Sequence, residues 1–296
     1  MSTETPPAGD AWTVRKVLDW TIDYLKKQGS PSPRLDAEVL LAHSRGCQRI
    51  QLYTQYEDVL TDSVRQKMRD LVKRRAAAEP VAYLVGHKEF YSLTFEVGRE
   101  VLIPRPETEL LVMEAVRLIA GSPQPQLLEL GVGSGCISVA IATQAPHATI
   151  VGVEIHPATL EFAQRNVARH QVGNRVELRL GDLWEPLRAG ERFDWIVSNP
   201  PYVATDEIAG LSADVQKHEP HRALDGGADG LDIIRRIAQG ASAHLKPGGG
   251  LLVEFSPEQA SAIMEVFQTD PAGYQEVEII PDLSGQPRVL RARWPG

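Results

Sequence analysis

Hydrophobic positions in the first quarter of the chain recur with the period of an α-helix. Val14, Val17, Leu18, Ile22 and Leu25 fall on one stripe, and Gly29 stops that helix. Ser32 and Pro33 open a second helix, Ser as its cap and Pro in its first turn, with Leu35, Val39 and Leu40 continuing its apolar face. A further helix is predicted from about Asp62 to Ala78, with Val64, Met68 and Leu71 inward. Lys73, Arg74 and Arg75 at its end read as a solvated terminus whose charge suits the helix dipole. After Pro80 the period drops to two. Leu93, Phe95 and Val97 alternate with polar residues, which predicts a short strand pair within Glu89 to Val97. In Leu102 to Glu109, Pro104 and Pro106 flank Arg105 and make a stiff, extended segment, after which a helix runs to about Ala120.

Beyond the break at Ser122 to Pro125, strands and helices alternate. Strands are predicted at Gln126 to Leu130, Thr149 to Ile155, Arg175 to Leu180, Phe193 to Ser198 and Gly250 to Phe255. Helices are predicted at Ser138 to Gln144, Ala158 to His170 and Leu231 to Leu245, and a closing strand pair at Glu276 to Ile280 and Arg288 to Arg293. Such alternation predicts an α/β fold with a parallel sheet covered by helices.

Composition narrows the function classes. With 296 residues, 43% hydrophobic and 24% charged, the chain can fold as two domains with a real core. A net charge of -8 argues against non-specific nucleic-acid binding, which needs clustered Lys and Arg. Cys47 and Cys136 lie too far apart for a Cys-x-x-Cys site and read as reduced thiols, and the histidines have no ligand-like spacing, so no metal is expected. Met1 to Asp10 is polar, without a signal-peptide pattern, and no apolar run nears the roughly 20 residues of a membrane span. A cytoplasmic chain with no membrane association is expected.

Two segments carry chemistry. Gly131, Val132, Gly133, Ser134 and Gly135 follow a predicted strand and precede a helix, where glycines let backbone N–H groups approach a ligand. Glu154 ends the next strand, about 20 residues on, where an acid can take ribose hydroxyls. The dinucleotide pattern wants Gly or Ala where Cys136 stands. The Gly-x-Gly-x-Gly run instead resembles the first motif of class I methyltransferases, and Asp182 and Leu183 stand where that family surrounds the adenine. A helix cap or turn is the plainer role for Asp182.

The second segment is Asn199, Pro200, Pro201 and Tyr202, at the end of the fourth strand. Two prolines donate no N–H, so local carbonyls and the Asn199 side-chain oxygen can accept two N–H bonds from one planar NH2 group, and Tyr202 offers a face for stacking. An amide nitrogen is a poor nucleophile because its lone pair is delocalised. Accepting both of its hydrogens orients it and raises its electron density, so positioning and electrostatics carry the rate. No general base stands out; His218 and Glu219 are near only in sequence.

The chain resembles the HemK-type protein-glutamine N5-methyltransferases over nearly its whole length. The resemblance rests on Pro80 to Gly86, Glu89 and Phe90, Leu102 to Glu109, Gly131 to Gly135, Asn199 to Tyr202, Glu219 and Pro220, Gly226 to Leu231, and Asp282 to Arg288. It implies an S-adenosyl-L-methionine-dependent class I fold: a Rossmann-like seven-stranded sheet, last strand antiparallel, with a small N-terminal helical domain. The implied division is 1–80 for that helical domain, 81–105 for a hairpin linker and 106–296 for the catalytic domain. Gly131 to Gly135, Glu154, Asp182, Leu183 and Asn199 would contact the cofactor, and Asn199 to Tyr202 would hold the glutamine amide. The implied partner is the Gly-Gly-Gln domain of peptide chain release factors, gripped with help from the helical domain, with no direct nucleic-acid binding and a monomeric chain. Glu129 and Glu154 stand where the family more often has Asp, Val132 where Thr is usual, and Ser256 where Gly is common. A ribosomal-protein glutamine, or the exocyclic amine of adenine, are alternative substrates for the same Asn-Pro-Pro-Tyr logic, and a translation-factor binding module with a dead cofactor site is the non-enzyme alternative.

Overall fold

The computed structural model describes residues 11–296, so the reading of Met1 to Asp10 lies outside the described residues. The chain divides into two compact units. The first holds helices α1 (Val14–Lys27), α2 (Pro33–Arg45), α3 (Arg49–Thr54), α4 (Asp62–Ala76) and α5 (Val81–Val85). Its core gathers Val14, Leu18, Leu25, Leu40, Leu41, Leu52, Met68 and Leu71.

Three local expectations change here. Leu35 is 45% exposed, and the inward face of α2 is formed by Ala37, Leu40 and Leu41. Ser32 sits at the N-cap position, but its hydroxyl donates to Asp36 Oδ1 at 3.0 Å instead of capping the helix. Arg75 is not solvated: it is buried, with Nε donating to Asp36 at 2.7 Å. The Ser30 hydroxyl, at 2.7 Å, joins Ser32 on the same carboxylate. A buried ion pair needs such extra partners to offset the desolvation of both charges.

The second unit begins with the hairpin β1 (His87–Phe90) and β2 (Leu93–Glu96). Tyr91 and Ser92 join the strands with φ of 51° and 59°, the two left-handed residues of a tight two-residue turn. The chain continues through α6 (Glu109–Ile119), β3 (Gln126–Leu130), α7 (Cys136–Gln144), β4 (Thr149–Glu154), α8 (Pro157–Arg169), β5 (Val176–Leu180) and β6 (Phe193–Ser198). Helix α9 (Ala213–His218) clusters with the first unit. Then come α10 (Asp232–His244), β7 (Leu245–Glu254), α11 (Ala260–Gln268), β8 (Gln275–Pro281) and β9 (Pro287–Arg293). The short helices α3, α5 and α9, and also α11, carry too few periodic positions to stand out in the sequence.

Seven strands form one sheet in the order β5-β4-β3-β6-β7-β9-β8. The pairs from β5 to β7 are parallel, and β9 runs antiparallel to both its neighbours. Strands buried on both faces explain the continuous apolar runs: Leu127, Trp195, Val197 and Leu252 pack to one side, Leu128, Ile196, Leu251 and Val253 to the other. Strand β7 begins five residues earlier than its apolar run, because Leu245 already pairs with Phe193 before the register shifts to Gly250 and Trp195.

The chain departs from β3 in one direction to β4 and β5 and in the other to β6 and β7. That reversal opens a crevice at the carboxyl ends of β3 and β6, where open α/β sheets bind ligands. The hairpin is tied to this region by one buried side chain, Asn166 of α8. Its Nδ2 donates to the carbonyls of Glu96 at 3.0 Å and Ser134 at 2.8 Å, and its Oδ1 accepts from Glu96 N at 2.7 Å. Truncating it removes the side-chain partner of one buried and two half-buried backbone groups. We expect Asn166→Ala to destabilise the fold by about 3 kcal/mol, read from the urea unfolding midpoint; an unchanged midpoint would mean water replaces the amide at no cost.

Candidate functional site

The crevice contains a cavity of about 280 Å³. Among its lining residues are Gly131, Val132, Gly133, Ser134, Glu154, Asp182, Leu183, Asn199, Pro200 and Pro201. Gly135 and Tyr202, which the sequence grouped with them, stand just behind. Gly135 caps α7 from the left-handed region, and Tyr202 is half-buried, packed against the core cluster that holds Leu128, Ile196 and Val253.

The glycine loop owes its shape to backbone demands. Gly131, Gly133 and Gly135 have φ of 75°, 59° and 80°, conformations that L side chains rarely adopt. The amides of Gly131 and Val132 both donate to Val153 O, at 2.9 and 3.1 Å, which folds the loop back onto β4. Val132 is buried against Gly152, where an added Cβ would come within 2.7 Å of the Val132 side chain. The carboxylate of Glu154 is held by two backbone amides, Gly133 N and His156 N, each at 3.0 Å. Asp182 forms an ion pair with Arg236 at 2.7 Å, and Leu183 follows it with φ of 47°. Arg236 also lines the cavity, although nothing in the sequence pattern singles it out.

Asn199 follows directly on β6. Ser198 Oγ donates to Leu130 O at 2.7 Å, and Leu130 pairs with Ser198 across the two strands, so Gly131 and Asn199 emerge side by side. Asn199 Nδ2 donates to the Thr108 hydroxyl at 3.1 Å, so the amide nitrogen is the end turned to Thr108. The Gly226 to Leu231 segment packs on the same stretch. Val203 N donates to Leu224 O at 2.9 Å and Gly226 N to Val203 O at 2.8 Å. A Cβ on Gly226 would lie 2.8 Å from Pro201 O, and one on Gly230 would lie 2.2 Å from Tyr202 O, so glycine is required at both by close backbone approach. Gln259 adds a strap, its Nε2 donating to Tyr202 O at 2.8 Å. Ser256 has φ of -75°, ordinary extended backbone that needs no glycine, and its N–H is taken by Gln259 Oε1 at 3.2 Å.

Neither sequence neighbour is placed to act as a free base. Glu219 is buried, with one oxygen accepting from Ile103 N at 3.1 Å and the other from Arg105 at 2.5 Å, so it pins the proline-flanked segment. The His218 ring lies 3.3 Å from Ala77 O.

Two carboxyls are fully buried in the sheet itself. Glu129 of β3 is fully buried, and Ser138 bonds it through both its N–H, at 2.9 Å, and its hydroxyl. Burial pushes this carboxyl up to about 8, against the opposing pull of Ser138. Glu254 of β7 is likewise pushed up by burial, to about 7. Burial also pushes the Cys136 thiol up, to about 12, so it is protonated and inert. Among the described residues no group of three or more His, Cys, Asp or Glu could hold a metal ion, and no helix is long and apolar enough to cross a membrane.

Two family models match the chain: the PrmC N-terminal domain over residues 16–86 and the methyltransferase small domain over residues 108–215. A release factor glutamine methyltransferase from Rhodopirellula baltica is 43% identical over 98% of this chain and 97% of its own length. One from Geobacter sulfurreducens is 44% identical over 98% of this chain and 99% of its own. A crystal structure of a methyltransferase from Pyrococcus furiosus aligns with a TM-score of 0.51 at 20% identity, covering 76% of this chain and 98% of that one, a likeness of fold.

The buried carboxyls make stability pH-dependent. Glu129 stays protonated in the folded chain up to about pH 8, whereas the unfolded chain ionises it above its ordinary value of 4.5. Its contribution is therefore full below that value and is lost as pH rises through about 8. Glu129→Gln should show a smaller fall in thermal midpoint across this window than the parent chain. Equal falls would mean that Glu129 ionises in the folded state as it does in the unfolded one.

Proposed function

Because the chain belongs to the release factor glutamine methyltransferase family, we propose that it transfers a methyl group from S-adenosyl-L-methionine to the side-chain amide nitrogen of the glutamine in the Gly-Gly-Gln motif of a peptide chain release factor. One observation carries the reading: the glycine loop and the Asn199-Pro200-Pro201 segment open into one cavity, with the Asn199 nitrogen bonded to Thr108.

The residues suit this cofactor. Glu154, held by two backbone amides, keeps lone pairs on both oxygens for a ribose diol. Val132, Ile155 and Leu183 give apolar walls for a purine, and the loop brings backbone close without the long phosphate-cradling turn of dinucleotide sites. When bound, S-adenosylmethionine supplies an electrophilic methyl on a cationic sulfur.

The chain's own contribution is placement. Asn199 Oδ1 and the carbonyl that follows it accept the two N–H bonds of the glutamine amide, with no competing donor from Pro200 or Pro201. Holding both hydrogens aims the nitrogen lone pair along the line of attack and supports the positive charge that develops on nitrogen in the transition state. The proline pair and the glycine segment packed on it keep these acceptors from relaxing away.

The direct test is transfer of labelled methyl from S-adenosylmethionine to a purified release factor, beside a release factor with the Gly-Gly-Gln glutamine replaced. Label on the unaltered factor alone is expected. Label on neither, with cofactor bound, would redirect the search to a ribosomal-protein glutamine or an adenine amine. In the same assay, Asn199→Ala should lower turnover by about 100-fold while leaving cofactor affinity nearly unchanged; near-normal turnover would sink the proposed role of Asn199.

A further inference from the structure

One wall of the cavity, beside Leu183 and Ile233, carries the ion pair of Asp182 and Arg236. Arg236 Nη2 donates to Asp182 Oδ2 at 2.7 Å, so one carboxylate oxygen is engaged and Oδ1 is not. The backbone on both sides of the pair is fixed by other groups. Asp182 N donates to Glu185 Oε2 at 3.3 Å, which closes the turn after β5. Trp184 seats that turn on α10: its ring stacks on His244 with centroids 5.1 Å apart, and its Nε1 donates to Arg236 O at 3.3 Å. A Cβ on Gly240 would come within 2.2 Å of Trp184 Nε1, so the indole needs glycine there. These contacts use the backbone of Arg236, and the seat of α10 does not need the guanidinium.

The side chains of Arg236 and Asp182 are 48% and 31% exposed, and a surface ion pair of this kind adds little stability. What it does supply is direction. A lone carboxylate on an exposed turn can rotate, and water can take either oxygen. With Oδ2 tied to Arg236, Oδ1 is left as the acceptor on that wall. We infer that Arg236 is a positioning residue that sets base specificity: it holds the Asp182 carboxylate so that Oδ1 accepts an N–H from the exocyclic amine of adenine and repels a carbonyl at the same ring position. The inference rests on the S-adenosylmethionine reading of the cavity, which places the adenine beside Asp182 and Leu183.

Adenine and hypoxanthine differ at this edge. Adenine presents an NH2 donor where hypoxanthine presents a carbonyl acceptor. A fixed carboxylate oxygen bonds the first and faces the second lone pair to lone pair. A carboxylate free to swing avoids that repulsion but also loses the well-placed bond. Loss of Arg236 should therefore weaken the adenine ligand and relax the discrimination together. A guanidinium that touched the base directly would do the reverse, because its N–H groups would serve the hypoxanthine carbonyl.

The test measures Kd by calorimetry for S-adenosylhomocysteine and for its deaminated counterpart, S-inosylhomocysteine. The proteins are wild type, Arg236→Ala, Asp182→Ala and the double variant. Arg236→Ala should weaken S-adenosylhomocysteine by about 5- to 10-fold and leave S-inosylhomocysteine within about twofold, so the preference for adenine falls by about fivefold. In the Asp182→Ala background, adding Arg236→Ala should change neither Kd by more than about twofold, because Arg236 acts through Asp182. An Arg236→Ala protein that keeps or sharpens the wild-type preference would overturn the inference, and so would a full additional loss in the double variant. Arg236→Gln, which removes the charge and keeps a polar side chain, serves the same comparison if the alanine variant does not fold. A wild type that binds neither ligand would overturn the cofactor reading, and the inference with it. A wild type that binds S-adenosylhomocysteine but with no preference over S-inosylhomocysteine would overturn the inference alone.

Discussion

The site depends on the register between two parallel strands. Leu130 lies opposite Ser198, and the Ser198 hydroxyl closes on the Leu130 carbonyl at the last residue of each strand. A slip of one residue would invert every side chain of β6 and point Asn199 away from the glycine loop. The register is secured by burial on both faces of the sheet, with Trp195 and Val197 on one side and Ile196 on the other. The glycine loop, the acid that ends β4 and the Asn-Pro-Pro-Tyr segment are all consequences of where those strands stop.

Around that register the structure spends polar groups on holding loops still. Asn166 joins the hairpin to the glycine loop, Glu219 grips the segment carrying Arg105, and Gln259 spans from the turn after β7 to Tyr202. Each is a side chain whose hydrogen bonds replace those that irregular backbone would otherwise make to water. Loops held this way keep the residues they carry in one conformation. Burying Glu129 and Glu254 inside the sheet is a cost of the same design, visible in carboxyls raised to about 8 and about 7.

Much of this was legible in the chain. Period-two and period-3.6 patterns located the strands and the longer helices, because burial on a face leaves its spacing in the residues. The glycines of the loop and the prolines after Asn199 could be read because each residue type changes the backbone by itself. Other features left no such mark. The polar Arg75 looked solvated at a helix end, and only the arrival of Asp36 from another helix makes it a core residue. Leu35 has the right residue type and lies one position off the buried face.

What the sequence determined by itself was the class of fold, the glycine loop after β3 and the proline-stiffened segment after β6, since these follow from local backbone chemistry and short-range periodicity. Tertiary structure alone decided which distant side chains complete them. Thr108, Arg236 and Asn166 lie far from the segments they serve and have no spacing relation to them. Their roles come from strand order and burial, because a hydrogen bond between residues 91 positions apart, as between Thr108 and Asn199, exists only once the sheet has brought them together.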